Sequence, residues 1–198
     1  MYKSGQVQLQ STGWMQKHTG DRPSFDAFIC RSIFFGTRRY RVFVMARGLL
    51  FLPLEDHPAT KAPPVMGTGL AGAVRTMEYA SEWYARQPIP PECQADFDIK
   101  SDDELLKLAG ERKQSFVAKQ EEIVKLTIDP PGPIARLLGT SVAGVITLRD
   151  RALGTIAMEI RDQFPLAIAV ESLPKRLRER TVVNVQWDEP SRKFLPKQ

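Results

Sequence analysis

Three apolar runs follow one another between residues 25 and 54, joined by links too short for anything but antiparallel pairing. Phe25 to Phe35 is apolar and aromatic, and Leu49 to Leu54 is apolar again. Between them Tyr40, Val42, Val44 and Ala46 alternate with Arg41, Phe43 and Met45. A period of two is that of a strand, whose successive side chains point to opposite faces. Gly36-Thr37-Arg38 and Arg47-Gly48 supply the turns. Parallel neighbours need a crossover of a dozen or so residues, so these strands form an antiparallel meander.

The strand pattern resumes after a different stretch of chain. Residues from about 55 to 112 read as a helical insertion: Ala73 to Arg86 carries Val74, Met77, Tyr79, Trp83 and Tyr84 at helical spacing, and Pro88, Pro90 and Pro91 stop it. A second helix is signalled by Ser101-Asp102-Asp103-Glu104, where a serine N-cap and a glutamate three positions on satisfy each other's backbone N–H groups. Ser115 to Ala118, a single turn at Lys119 to Glu122, and Ile123 to Asp129 then read as strands, with Ile123, Lys125 and Thr127 set against Val124, Leu126 and Ile128. Ala143 to Leu148 and Thr155 to Ile160 make a further hairpin. Phe164 to Arg180 reads as an amphipathic helix with a basic end, in which Pro165 suits the first turn and Pro174 is expected to kink or split the helix. Val182 to Trp187 supplies a last short strand.

Seven strands followed by a helix, with the local texture Phe116-Val117-Ala118-Lys119-Gln120-Glu121-Glu122-Ile123-Val124-Lys125-Leu126, is an order that resembles the pleckstrin-homology superfold, including its GRAM-type and bacterial PH-like members. The resemblance covers about Phe25 to Leu54 and Ser115 to Arg180. It implies an α+β chain: a bent seven-stranded antiparallel barrel closed at one corner by the C-terminal helix, with the helical insertion between strands three and four. On that reading residues 1–24 are a polar lead, 25–187 one PH-like domain and 188–198 a polar tail.

Composition narrows the classes of function. The 198 residues carry 28 Lys plus Arg and 23 Asp plus Glu, a formal net charge of +5, which is far from a histone-like excess. The longest uncharged run is 13 residues, as in Ala62 to Val74, too short for a membrane-spanning helix. Cys30 and Cys93 stand in unlike settings, which gives no disulfide framework and points to a reducing compartment. The first 20 residues lack the apolar core of a secretory signal, so the expected location is cytoplasmic, at most peripheral to a membrane. His18 and His57 have no companion at metal-ligand spacing, and neither a metal nor a cofactor is expected.

The charge distribution says more than its total. Five arginines (Arg31, Arg38, Arg39, Arg41 and Arg47) and no acid lie between Ala27 and Leu54. The resemblance implies that Arg31, Arg39 and Arg41 bind an anion such as a lipid headgroup, since arginine offers a planar fork to phosphate oxygens. Arg39 and Arg41 are two apart on a strand and so share a face. The competing expectation is internal neutralisation: Glu92 to Glu104 holds six acidic side chains against Lys100 alone, and this segment is placed to lie across the hairpin.

Gly67-x-Gly69-x-x-Gly72 opening a helix matches a pyrophosphate-binding pattern, which leaves a nucleotide-binding enzyme as an alternative, although no strand pattern precedes it. The interleaving of Arg38, Arg39, Tyr40, Arg41 and Phe43 leaves single-stranded nucleic acid as another, disfavoured because Tyr40 and Phe43 fall on opposite faces. No residue is singled out as catalytic. The expected function is a non-catalytic binding or scaffolding module that meets an anionic membrane surface or an acidic protein through the first hairpin, or else a protein partner through Trp83 and Tyr84 of the helix at 73–86. Oligomeric state is not legible.

Overall fold

The alternation of Tyr40 to Ala46 becomes a strand buried on both faces, and the rest of the fold is arranged around it. The computed structural model describes residues 22–32, 36–54, 97, 100–132 and 142–197. The first meander forms as β1 (Ser24–Ser32), β2 (Gly36–Met45) and β3 (Gly48–Pro53), antiparallel throughout, with Asp26 opposite Arg41 and Arg41 opposite Leu52. Gly48 turns β2 into β3 with φ of +146°, and a Cβ there would stand 2.1 Å from the Ala118 carbonyl oxygen, so the turn requires glycine.

The later strands also appear in the expected order: β4 (Phe116–Lys119), β5 (Ile123–Asp129), β6 (Gly144–Asp150) and β7 (Gly154–Ile160). The expected seven-stranded barrel does not form. Eight strands lie in one sheet of order β4-β3-β2-β1-β7-β6-β5-β8, and among the described residues no pairing joins β4 to β5. The eighth strand explains this. β8 (Thr181–Val183) pairs in parallel with β5 at Leu126, Thr127 and Ile128, and so occupies the edge that closure would have used.

One face of this sheet is closed by α2 (Gln163–Leu177), whose N-terminus is capped by Asp162 accepting the Phe164 N–H. Leu166, Ala169, Leu173 and Leu177 face the sheet and are buried with Tyr40, Val42, Phe51, Ile146 and Met158. Pro174 does not split α2, which runs on to Leu177 before a 3-10 turn at Arg178–Arg180. Pro174 has no N–H for the Val170 carbonyl, and the helix continues for only three residues beyond it.

Among the described residues, the other face is covered over β2 and β3. Phe43, Met45, Leu50 and Leu52 are buried there under Phe97 and Leu105 of α1 (Asp102–Glu111), so β3 is buried at all six positions. The expected capping box is present: Ser101 Oγ accepts the Glu104 N–H at 3.3 Å, and Glu104 Oε2 accepts the Ser101 N–H at 2.7 Å. Arg112 anchors the far end of α1, donating to the Pro53 carbonyl at 3.3 Å with its guanidinium 5.0 Å from the Phe97 ring centroid. The rest of the expected insertion, including the helix at 73–86, lies outside the described residues.

Two local expectations are revised. Ile123 is buried and Val124 exposed, the reverse of a simple alternation with Leu126, because the β5–β6 register slips between Ile123 and Lys125 and leaves Val124 as an extra residue. Residues 188–197 are not a loose polar tail. β9 (Val185–Asp188) and β10 (Lys193–Pro196) form a hairpin that seats Phe194 in the main core, edge-on to Trp187 at 5.2 Å.

Candidate functional site

Arg39 and Arg41 do converge on one carboxylate, and it belongs to the chain itself. β1 and β2 pair so that Asp26 lies directly opposite Arg41, with Arg39 one step along the same face. Asp26 Oδ2 accepts from Arg39 Nε at 3.1 Å and Nη2 at 2.5 Å, and Asp26 Oδ1 pairs with Arg41 Nε at 2.6 Å. The three side chains are 13%, 18% and 11% exposed, in the order Asp26, Arg39, Arg41. At that depth the carboxylate is strongly held and the guanidiniums are mostly shielded from a ligand in solution.

The cluster continues across β1 to β7. Phe28 lies opposite Glu159, and its ring carries the Arg161 guanidinium at 4.2 Å and the Arg39 guanidinium at 5.7 Å. Arg161 also reaches Glu159 at 3.7 Å. These charges are therefore arranged in alternation along the sheet face, each cation against an acid or a ring face. Arg31 lies on β1 near its end, and its side chain is outside the described set, as are Trp83, Tyr84, both histidines, Cys93 and the Gly67–Gly72 loop.

The acidic segment reaches the meander by another route. Asp102 pairs with Arg22, which also donates to the Lys100 carbonyl at 2.6 Å and lies 5.3 Å from the Phe43 ring centroid. Thus the insertion neutralises the residue that leads into β1, while Arg39 and Arg41 of β2 are answered by Asp26. A count of acids beginning at Ala27 misses this carboxylate by one position. Strand register, which places Asp26 against Arg41, is the signal that finds it.

A second charged region is assembled by turns that are far apart in sequence. The Gln120 N–H donates to the Arg47 carbonyl at 2.9 Å, the Arg151 N–H to the Glu122 carbonyl at 3.0 Å, and Arg180 Nη1 to the Ile123 carbonyl at 3.0 Å. These bonds join the β2–β3, β4–β5 and β6–β7 turns and the end of α2 into one corner. Its segments, 47, 119–125, 149–151 and 178–180, hold seven basic and four acidic side chains, so the corner is net basic. One of the acids, Asp150, is buried and turned inward, where Oδ1 accepts the Ala152 and Leu153 N–H groups at 2.9 Å.

The cations here are disposed unlike those of the first hairpin. Lys125 and Arg149 are cross-strand partners, both exposed, and like charges placed opposite each other repel. Arg47, Lys119, Arg151 and Arg178 are exposed as well. None of these six enters an ion pair among the described residues. No group of three or more His, Cys, Asp or Glu side chains able to hold a metal occurs among the described residues, and no described helix is long and apolar enough to cross a membrane.

Compared with known proteins, the chain matches no family model, no curated protein and no solved structure.

Proposed function

We propose that this chain is a non-catalytic binding module for an anionic partner, and that the partner meets the basic corner instead of the first hairpin. The observation that carries the reading is the Lys125–Arg149 pair: two exposed like charges side by side on adjacent strands, with no acid among the described residues paired to either. Such a pair costs stability in the free protein and recovers it when an external anion arrives. Arg39 and Arg41, by contrast, already have a counter-ion in Asp26. Their part is to hold β1 against β2 and keep the sheet face in register.

Salt-gradient elution of the full chain from an immobilised polyanion such as heparin tests this. Lys125→Gln with Arg149→Gln is expected to elute at clearly lower salt with a thermal midpoint at or slightly above that of the parent, because both side chains are exposed and their mutual repulsion is removed. Arg41→Gln is expected to lower the midpoint while leaving the elution of the folded fraction near that of the parent. Equal elution of the Lys125/Arg149 variant and the parent would remove the corner from the binding surface.

A further inference from the structure

We propose that the anion met by the basic corner is the surface of an anionic lipid bilayer, with Val124 and Leu153 entering its headgroup region. This rests on the reading that the corner binds an anionic partner, and it names the class of that partner. The corner leaves two apolar side chains in water. Val124 is 52% exposed and Leu153 38% exposed. Both are held out by structure: Val124 is the extra residue at the register slip that opens β5, and Leu153 sits in the β6–β7 turn whose backbone Asp150 caps.

The two positions both adjoin Asp150. Ile123, just before Val124, pairs with Asp150, and the Leu153 N–H bonds to that same Asp150. Lys125 follows Val124 directly and faces Arg149, while Arg151 stands between Asp150 and Leu153 in the chain. Each aliphatic tip is therefore flanked by cations. An anionic bilayer answers both halves of this arrangement, since its phosphates and carboxylates meet the cations and the boundary beneath them accepts short aliphatic side chains.

The other polyanions fit less of it. Single-stranded nucleic acid is gripped by aromatic faces on which bases stack, and both exposed apolar side chains at the corner are aliphatic. The exposed aromatic among the described residues, Phe164, belongs to the first turn of α2, at the opposite end of that helix from Arg178. A purely electrostatic partner such as duplex backbone would leave Val124 and Leu153 in water.

The full chain is to be sedimented with vesicles of phosphatidylcholine alone and of phosphatidylcholine with phosphatidylserine as the minority lipid. Binding is expected only to the second kind and is expected to fall as salt shortens the screening length. Lys125→Gln with Arg149→Gln should weaken it by about 25-fold, at roughly fivefold for each cation. Val124→Ser with Leu153→Ser should weaken vesicle binding by about tenfold while leaving heparin elution unchanged, because only the bilayer uses the apolar tips. Circular dichroism of both exposed-site variants should match the parent. Full vesicle binding by the Val124/Leu153 variant would overturn the insertion. Retention on heparin without vesicle binding would overturn the bilayer as partner and leave the basic corner standing, whereas binding to neither would sink the corner itself.

Discussion

Asp26 shows how far a single residue can redirect the meaning of its neighbours. Two arginines on one strand face are an anion site only if no acid stands across from them, and β-pairing puts an acid there. The carboxylate is held by three close contacts from two guanidiniums, at an exposure of 13%. Asp26→Asn keeps the shape and removes the charge, which leaves two shielded cations facing each other. The expected loss is about 3 kcal/mol in urea denaturation, near the low end for breaking a buried pair because the side chains retain some water. Combining Asp26→Asn with Arg41→Leu should cost less than the sum of the two single changes, since the second removes part of the repulsion that the first creates. Additive losses would show that the three side chains do not act as a unit.

Among the elements, α1 depends most on its terminal residues. It covers the outer face of β2 and β3 with Leu105 fully buried and Leu108 and Ala109 half-buried, so its contact is narrow and its start must be held. The Glu104 carboxyl titrates below its ordinary value because it accepts the Ser101 backbone N–H and then the Ser101 hydroxyl. A carboxylate whose folded pKa is depressed stabilises the fold above its unfolded pKa, and that contribution is lost as pH falls through the folded value. Amide exchange protection in α1 is therefore expected to be full near neutral pH and to drop selectively below about pH 4. Glu104→Gln should make that drop smaller, leaving what the Asp102–Arg22 pair contributes. The same dependence in the variant would assign it to another group.

At the scale of the molecule, one sheet is shared by two unequal covers, α2 over most of one face and α1 over β2 and β3 of the other. The β9–β10 hairpin completes the first cover by bringing Phe194, 7% exposed, onto the core beside Trp187. Phe194→Ala is expected to cost about 3 kcal/mol, the usual loss for a large aromatic removed from a core. Thermal melts followed by near-ultraviolet circular dichroism would register it, together with the Trp187 signal. A midpoint within a degree or so of the parent would return the last ten residues to the loose tail that their composition suggests.

The sequence by itself determined the first seven strands, their order and the β1–β2, β2–β3 and β6–β7 pairings, along with the capping box of α1 and the amphipathic α2. All of these follow from local periodicity, turn length and end chemistry, which are written within a few residues of one another. The pairing of β4 with β5 that their single turn suggests gives way to β3–β4 and β5–β6. Only the tertiary structure decided that the sheet stays open, since that depends on β8 reaching β5 from more than fifty positions away. It also decided the use of the charges. The five arginines of the first hairpin read alike in a line of letters, yet register gives Arg39 and Arg41 a carboxylate in Asp26, while chain folding gathers Lys125, Arg149 and Arg151 at a corner with no such partner among the described residues. A charge has functional meaning only relative to the charges around it, and those neighbours are set by pairing across space.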